Sequence, residues 1–417
     1  NLRPFGNTAK MLSIFKKLED PKIPLLGPNV NALKFWGLIL PKNIFKKYFY
    51  MTMHVLVSIF TASEYIDVYF IKSDLNLVLN NLKITLLASM SVCKVATFLM
   101  WQKKWISIIE YVTKADLRQR KTDEETSLKI LATNTRYCRK ITYLYWSLMY
   151  TTVVIVVFTP VFKYFLSPEY RENVRNGTGT YIEVVSSWVP FSKRTIPGYL
   201  AASLWQTYAA VYGGGWITSF DTNSMVIMVF FRTELQLLQL DSNKIFGTEK
   251  NHVSHEEAFK RLKDCGRRHN ELIKYAELFD SCLSPIMLLY MFVCSIMLCV
   301  TAYQITIETG AMQRLLTTEY LIFGVSQLFI YCWHSNDVYY ASQDLSLGPY
   351  SSTWWMTDAR NHQYVQMLTG KFQKLIVFSV GSFSKLTVPT FISVSIRDKP
   401  YTNYYLLSIV LYTLVEC

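Results

Sequence analysis

The chain has 417 residues, of which 51% are hydrophobic, 15% aromatic and only 18% charged, and its mean hydropathy is +0.17. Soluble domains carry about 25% charged residues, so this composition argues against a soluble protein and indicates a polytopic membrane protein. The formal net charge of +13 comes without a basic stripe interleaved with aromatic residues, and a nucleic-acid partner is therefore not expected.

The predicted elements begin with a basic segment, residues 1–47, which is interrupted by prolines and shows no secretory signal. Beyond it, seven apolar runs are long enough to cross a hydrocarbon core of about 30 Å, which takes roughly 20 helical residues. These runs are 48–70, 75–101, 141–165, 199–220, 283–304, 315–332 and a seventh between 375 and 411. Because they lack the alternation of barrel strands, the sequence predicts an all-α fold with seven transmembrane helices.

The predicted domain organisation follows these spans. After the N-terminal segment 1–47, it consists of spans one to four at 48–232 with an extracellular loop at 166–198, a cytoplasmic helical anchor segment at 233–282, spans five and six at 283–332, a cytoplasmic loop and anchor helix at 333–383, a terminal helix at 384–411 and an extracellular tail at 412–417.

Lys and Arg residues indicate the orientation, because short loops rich in them stay on the cytoplasmic side. With the N-terminus inside, the predicted cytoplasmic segments contain 31 of these residues and the predicted outer loops contain 7. The only Asn-x-Ser/Thr sequon begins at Asn176, and it then falls in an outer loop, where glycosylation is possible. Both signals predict a cytoplasmic N-terminus and an extracellular C-terminus.

Motifs of enzymes are missing from the sequence. No phosphate-binding glycine loop, nucleophile elbow or dinucleotide fingerprint occurs. His252 and His255 form His-x-x-His, which is not the His-Glu-x-x-His of zinc proteases, and a solvated loop is favoured over a metal site. Seven of the eight cysteines fall in predicted spans or on the reducing side, so no extracellular disulfide is expected. We therefore expect no catalytic residue, no metal and no cofactor.

Several segments, taken in order, carry a family resemblance. They are NALKFWGLILP before the first span, WVPFSKRTIPGYLAASLWQTYAAVY at the entry to the fourth with Asp221 at its inner end, LKDCGRRHNELIKYAELFDSCLSP before the fifth, QLFIYCWHSN in the sixth with Ser342 and Trp354 after it, and PTF and YTNYYLL in the terminal helix. In this order they resemble the insect odorant receptors over almost the whole chain. The long second cytoplasmic-loop insertion of the shared coreceptor is lacking, so the chain looks like an odour-tuning subunit.

The resemblance implies a tetrameric, ligand-gated, non-selective cation channel in the plasma membrane of sensory neurons. Its partners would be a small volatile odorant, the shared coreceptor in a heterotetramer, membrane lipid and permeating cations. The terminal helices would line one central pore with a hydrophobic gate at Leu406, Leu407 and Val410, since apolar constrictions gate by dewetting. The other interpretation of these residues is lipid-facing or packed side chains. A gustatory-type receptor channel or a small-molecule membrane transporter is the alternative function.

The register of the last helix has two interpretations. Hydropathy alone places the seventh span at 375–396 with Arg397 outside. The resemblance instead implies a cytoplasmic helix at about 360–381 and a spanning helix at about 384–410, which would place Arg397 within the span. A charge at that depth costs about 3 kcal/mol, so Arg397 would face a wet cavity, pair with Asp398 or snorkel to an interface.

A ligand pocket is expected in the outer half of the bundle formed by spans two to six, as the resemblance implies. Small volatile ligands favour a concave, mostly apolar pocket with one or two polar groups. The candidate lining residues are Leu79, Leu86, Met149, Val153, Val157, Gln206, Tyr208, Tyr212, Tyr320, Phe323 and Gln327. Gln206 and Tyr208 are the polar candidates, because a buried amide or hydroxyl needs a partner. Ordinary packing within the bundle is the alternative for each of them.

A helix at 254–280 carries apolar residues among Lys and Arg. It fits a subunit-facing anchor helix, a calmodulin-like target or a solvated amphipathic helix. The resemblance favours the anchor, with His269, Tyr275 and Trp354 as the anchor residues.

Overall fold

The structure, a computed structural model, describes residues 19–176, 181–248, 251–307, 311–357 and 359–396. The all-α prediction is confirmed: these residues form long helices and two short β-hairpins. The helices are α1 (Gly27–Phe35), α2 (Ile44–Phe70), α3 (Leu75–Met100), α4 (Gln102–Gln119), α5 (Glu125–Leu166), α6 (Pro168–Arg175), α7 (Ile196–Asn243), α8 (His255–Ile307), α9 (Ala311–Asp344), α10 (Leu347–Tyr350), α11 (Ala359–Phe372) and α12 (Val388–Ile396). The hairpins pair β1 (Gly247–Thr248) with β2 (Asn251–His252) and β3 (Ser379–Val380) with β4 (Ser384–Lys385), both antiparallel, and a short 3₁₀ helix lies at Trp354–Met356.

Six of the described helices, α2, α3, α5, α7, α8 and α9, contain the first six predicted spans. By length and composition alone, three stretches of the described chain are apolar enough to cross a membrane, namely Leu77–Met100, Glu125–Leu166 and His255–Ile307. The other three long helices have 27, 48 and 34 residues, so they are long enough to cross but carry more polar side chains. The predicted seventh span falls on α12 and on residues outside the described part.

Helix α7 is the centre of the bundle. Every residue from Trp216 to Phe231 is buried, although this stretch includes several polar side chains. Three of their hydroxyls bond to the carbonyl one turn back; Thr222, for example, donates to Thr218 O at 2.7 Å. A helix buried on all sides needs its polar groups paired within the protein, and these bonds meet part of that requirement.

Small residues in α7 allow its neighbours to approach closely. A Cβ at Gly215 would lie 2.2 Å from the indole of Trp36, which follows α1. A Cβ at Gly214 would lie 3.0 Å from Val153 Cγ2 of α5. The run YGGGW therefore marks the place where α7 contacts both α1 and α5.

Three helices continue well past the thickness of a membrane. α8 has 53 residues and is about 80 Å long, against a hydrocarbon core of about 30 Å. The N-terminal parts of α5 and α8 and the C-terminal part of α7 extend from the same end of the bundle, where α4 packs on α8. Tyr111 of α4 and Tyr275 of α8 stack there with ring centroids 3.9 Å apart. We call this layer the anchor layer; it contains the predicted segment 233–282.

A buried ion network holds the anchor layer together. Arg268 of α8 bonds to Glu234 of α7 at 3.0 Å and also pairs with Asp241. Gln119 of α4 donates to both oxygens of Glu234, at 2.9 and 3.1 Å. Burial raises the pKa of Glu234, and the facing Arg268 acts against that rise. Since a buried charge is tolerated only when it is paired and hydrogen-bonded, this network fixes how α4, α7 and α8 sit together.

The region after α11 distinguishes between the two interpretations of where the last span begins. Gly381 has a φ of +59°, which favours glycine, and it lies between β3 and β4 in the turn of a hairpin. The hairpin is held to α8, because Ser379 N and Oγ both donate to the Asp280 carboxylate at 2.7 Å. A continuous span over 375–396 is therefore wrong, and helix α12 begins only at Val388. The helix expected at about 360–381 is also shorter than predicted, since α11 ends at Phe372.

His269 makes the stability of the anchor layer depend on pH. Its imidazole is buried against Phe372 of α11, with ring centroids 4.9 Å apart, and burial lowers its pKa to about 4, with Lys374 and Lys371 adding to the effect. An unfolded histidine titrates near about 6.5, so the unfolded state binds the proton first as pH falls. We expect the stabilisation to be complete above pH ~6.5 and to be lost between there and pH ~4. Thermal unfolding of the purified protein across this range, compared with His269→Gln, should show a flatter profile for the variant; equal slopes would contradict the prediction.

Candidate functional site

A cavity of about 530 Å³ lies between α2, α3, α5 and α7. It is at the end of the bundle that carries the segments 71–74 and 167–195, which we call the loop end. The wall is mostly apolar, and its main apolar residues are Val57 and Phe60 of α2, Ile84, Leu87 and Ala88 of α3, Met149, Val153, Ile155 and Val156 of α5, and Ala209, Ala210 and Ile217 of α7. This volume is within the range of about 300–1,000 Å³ that is typical of small-molecule sites.

The space exists because α7 presents mainly small residues to it. Ala209, Ala210, Gly213 and Gly214 form its α7 wall, with Ile217 below them. Larger side chains at these positions would fill the gap that α2, α3 and α5 leave. The sequence AAVYGGG therefore combines two roles, close helix contact at Gly215 and an open cavity beside Gly213 and Gly214.

The segment between α6 and α7 closes the cavity at the loop end. Val184 and Val185 of this segment line the cavity, and both backbone N–H groups point to Gln206 Oε1 of α7, at 3.1 and 3.5 Å. Gln206 Nε2 in turn donates to Glu183 Oε2 at 2.6 Å and to Ser187 Oγ at 3.1 Å. The segment also bonds to α2, where Ser186 Oγ donates to Asp67 Oδ2 at 2.5 Å. Gln206 thus holds the segment 183–187 over the cavity, and we call this segment the cover.

Charged and polar groups are few in the wall of the cavity. Glu64 of α2, Lys83 of α3 and Lys163 of α5 line it, with Asn80 and a handful of hydroxyls. Lys83 Nζ donates to Gln304 Oε1 of α8 at 3.0 Å, and Asn80 Oδ1 accepts from Gln304 Nε2 at 3.1 Å. An apolar wall with a small number of polar groups is the pattern of a site that orients a small, mostly apolar ligand.

A buried polar cluster lies one helical turn below the cavity. Asp221, fully buried on α7, pairs with Lys94 of α3 at 2.7 Å. Its carboxylate accepts hydrogen bonds from Tyr145 of α5 at 2.8 Å, from Tyr331 of α9 at 2.7 Å and from Gln327 of α9. We call these residues the Asp221 cluster. Because it joins α3, α5, α7 and α9, the cluster connects the floor of the cavity to most of the bundle.

The structure places the predicted pocket residues in several environments. Met149 and Val153 line the cavity. Gln327 belongs to the Asp221 cluster and Gln206 fastens the cover, while Tyr208 donates to Met53 Sδ and Tyr212 to Trp36 O. Leu86 packs on the core, and Leu79 and Val157 are not among the residues that line the cavity. The side chains of Tyr320 and Phe323 lie outside the described part of the structure.

Sequence reasoning missed the α2 wall and much of the α3 and α7 walls. Glu64 could have been found, because a carboxylate inside a span is rare and usually functional. The small residues Ala209 and Ala210 gave no such signal, since small residues in a span ordinarily indicate helix packing.

The remaining predicted residues have the following places. His269 and Tyr275 contact side chains of their own chain in the anchor layer. Trp354 is half-buried, donates to Tyr350 O at 3.0 Å and packs edge-on against His362. Asn176 is exposed at the end of α6. Leu406, Leu407 and Val410 lie outside the described residues, so the gate stays a prediction.

A helical membrane bundle that encloses an apolar cavity of this size is typical of a protein that takes up a small apolar ligand. A family model described as 7tm Odorant receptor matches residues 74–395 of the chain. The chain therefore belongs to the insect odorant receptor family, whose members are seven-helix membrane receptors and not enzymes. This confirms the family resemblance and the seven-helix membrane fold predicted from the sequence.

Individual relatives are distant. Odorant receptor 30a of Drosophila melanogaster is 18% identical over 366 residues, which are 88% of this chain and 92% of that protein. Odorant receptor Or2 of Anopheles gambiae is 24% identical over 133 residues, 32% of this chain and 35% of the relative. The odorant receptor coreceptor of Anopheles gambiae is 25% identical over 167 residues, 39% of this chain and 35% of the coreceptor. The match thus spans about a third of the length of the last two.

A solved structure shares the fold. The insect olfactory receptor OR5 from Machilis hrabei superposes with a TM-score of 0.75 at 16% identity, covering 95% of this chain and 99% of that one. The same receptor in complex with eugenol also gives a TM-score of 0.75, at 15% identity, covering 95% and 100% of the two chains.

Proposed function

We propose that this chain is an odour-tuning subunit of a ligand-gated, non-selective cation channel in the plasma membrane of sensory neurons. A small volatile molecule binds in the cavity between α2, α3, α5 and α7 and opens a central pore lined by terminal helices. The observation that carries the proposal is the mostly apolar cavity of about 530 Å³ in a chain of the odorant receptor family. The complex of the related OR5 receptor with eugenol supports it, since eugenol is a small, mostly apolar molecule.

The orientation follows from the charge distribution. With the N-terminus inside, the loop end faces the outside, where volatile ligands arrive, and the basic anchor layer faces the cytoplasm. Asn176 is then extracellular and available for glycosylation. The cavity lies in the outer half of the bundle under this orientation.

Opening requires that the cavity be linked to the pore. The Asp221 cluster supplies such a link, because it lies between the cavity floor and helices α8 and α9, and Phe329 of α9 contacts Phe391 of α12 with ring centroids 5.5 Å apart. Helix α12 leads toward Leu406, Leu407 and Val410, the proposed gate. A ligand that presses on the floor of the cavity would bias the arrangement of these helices.

Assembly with other subunits uses helices α10 and α11, which lie at the same end of the bundle as the anchor layer. Tyr350, Trp355 and Met367 around α10 and α11 are exposed apolar side chains at the basic end of the bundle. An exposed apolar patch of this kind marks a protein interface. We propose that it contacts neighbouring subunits, among them the shared coreceptor, in a heterotetramer, and that Trp354 stiffens it from within.

Recording whole-cell current tests this function directly. Cells that co-express this chain with the odorant receptor coreceptor should give a cation current on exposure to at least one volatile of a broad panel, and cells with either chain alone serve as controls. Leu406→Arg should abolish the evoked current, because a charge at a hydrophobic constriction prevents its normal gating. If both chains reach the cell surface and no volatile of the panel evokes a current, the proposal is contradicted.

A further inference from the structure

Glu64 stands out in the wall of the cavity. Its side chain is only 1% exposed, yet it lines the cavity. Its Oε2 atom is buried and has no hydrogen-bond partner in the part of the chain that the structure describes. A buried carboxyl oxygen without a partner is costly, so a residue kept in this state is expected to gain its partner from what the cavity binds.

Several other polar groups of the wall already have partners. Thr61 Oγ1 donates to Val57 O at 3.2 Å, Thr159 Oγ1 to Ile155 O at 2.7 Å and Ser91 Oγ to Gly213 O at 3.1 Å. Lys83 donates to Gln304. Among the described lining residues, Glu64 is the one with a buried side-chain atom that no protein group satisfies.

We infer that the cavity takes a neutral alcohol or phenol whose hydroxyl group donates a hydrogen bond to Glu64, an inference that rests on the proposed odorant-binding function. The hydroxyl hydrogen supplies what the carboxyl oxygen lacks, and the carbon skeleton occupies the apolar wall. An amine would also donate, but the wall already holds two ammonium groups, Lys83 and Lys163. A cationic ligand is therefore disfavoured by repulsion, and a neutral donor is selected.

Isomeric ligand pairs test the inference on the purified protein. Benzyl alcohol and anisole are isomers that differ in having or lacking a donor, as are primary nonanol and methyl octyl ether. The wild-type chain should bind each alcohol about twofold to tenfold more tightly than its ether, which is the range expected for a hydrogen bond between neutral groups. Glu64→Leu should remove this preference and leave ether binding unchanged, and Glu64→Gln should keep part of it. Binding is followed by the ligand-induced rise in thermal unfolding temperature.

Thr61→Val is the matched control. It removes a hydroxyl from the same wall, three residues away, but that hydroxyl is already used by Val57 O. It should keep the alcohol preference. Glu64→Leu should fold well, because it removes an unsatisfied polar group from a buried position.

The outcomes separate the inference from the function on which it rests. If ethers bind as tightly as alcohols, or if Glu64→Leu keeps the preference, the role of Glu64 is wrong while odorant binding stands. Tighter binding of benzylamine than of benzyl alcohol would overturn the choice of a neutral ligand. If no compound of any class raises the unfolding temperature, the cavity is not the ligand site and both proposals fail.

Discussion

Replacing Asp221 with leucine should destabilise this receptor more than any other single change to a side chain of the bundle. The substitution leaves the Lys94 ammonium buried without its carboxylate partner, with the ring centroids of Tyr290 and Phe220 at 5.0 and 5.7 Å. Breaking a buried pair in this way costs about 3–5 kcal/mol, a large part of a typical stability of about 5–15 kcal/mol. The hydroxyls of Tyr145 and Tyr331 also lose their hydrogen bonds to this carboxylate.

The measurement is the yield and thermal unfolding temperature of the detergent-purified protein, together with its surface expression. Lys94→Met should be milder, because the carboxylate keeps three hydrogen-bond donors, from Tyr145, Gln327 and Tyr331. The double variant Asp221→Leu with Lys94→Met should recover part of the stability, since it removes both charges. If Asp221→Leu unfolds at the wild-type temperature, the cluster does not hold the bundle together.

The membrane spans could be predicted from the sequence because a span must be apolar over about 20 residues whatever it packs against. What the sequence could not give is how far each helix continues. The parts of α5, α7 and α8 beyond the spans are polar, so hydropathy alone does not give their length, although the sequence predicted a helix at 254–280; they are helical because they pack on one another in the anchor layer. Glu234 and Arg268 illustrate this: as separate charges they indicate solvent, and only their pairing at 3.0 Å shows a buried network.

The cavity was harder to predict than the fold, and the reason is geometric. A helix turns about 100° per residue, so Val156 and Val157 face different directions although their chemistry is identical. Val156 lines the cavity and Val157 does not. Met149 and Val153, which were predicted together with Val157, do line it. Gln206 was predicted as a polar ligand contact from its chemistry alone, whereas its amide is occupied by the cover. The direction in which a helical side chain faces, and the hydrogen-bond partners it finds, depend on tertiary contacts that a single sequence does not reveal.

Ala210→Trp should abolish the response to odorants while leaving the protein folded and at the cell surface. Ala210 lines the cavity, and the indole would occupy space that the ligand needs. We expect the odorant concentration for half-maximal current to rise at least about a hundredfold, equivalent to roughly 2.7 kcal/mol. The cavity is wide enough to take the ring without forcing the helices apart, so the cost of overpacking should be small.

Ala201→Trp on the same helix is the control that separates filling of the cavity from a general effect of adding a tryptophan to α7. Ala201 is exposed near the start of α7, where a tryptophan at the membrane interface is well tolerated, and its dose–response curve should match the wild type. If Ala210→Trp reaches the surface and keeps its sensitivity, the odorant binds elsewhere in the protein. Ala210→Trp should weaken every ligand, apolar or polar, whereas Glu64→Leu should weaken only hydroxyl-bearing ones. If Ala210→Trp weakens the response to alcohols and ethers alike, and Glu64→Leu weakens the response to alcohols alone, then this one cavity selects ligands by both their shape and their polarity.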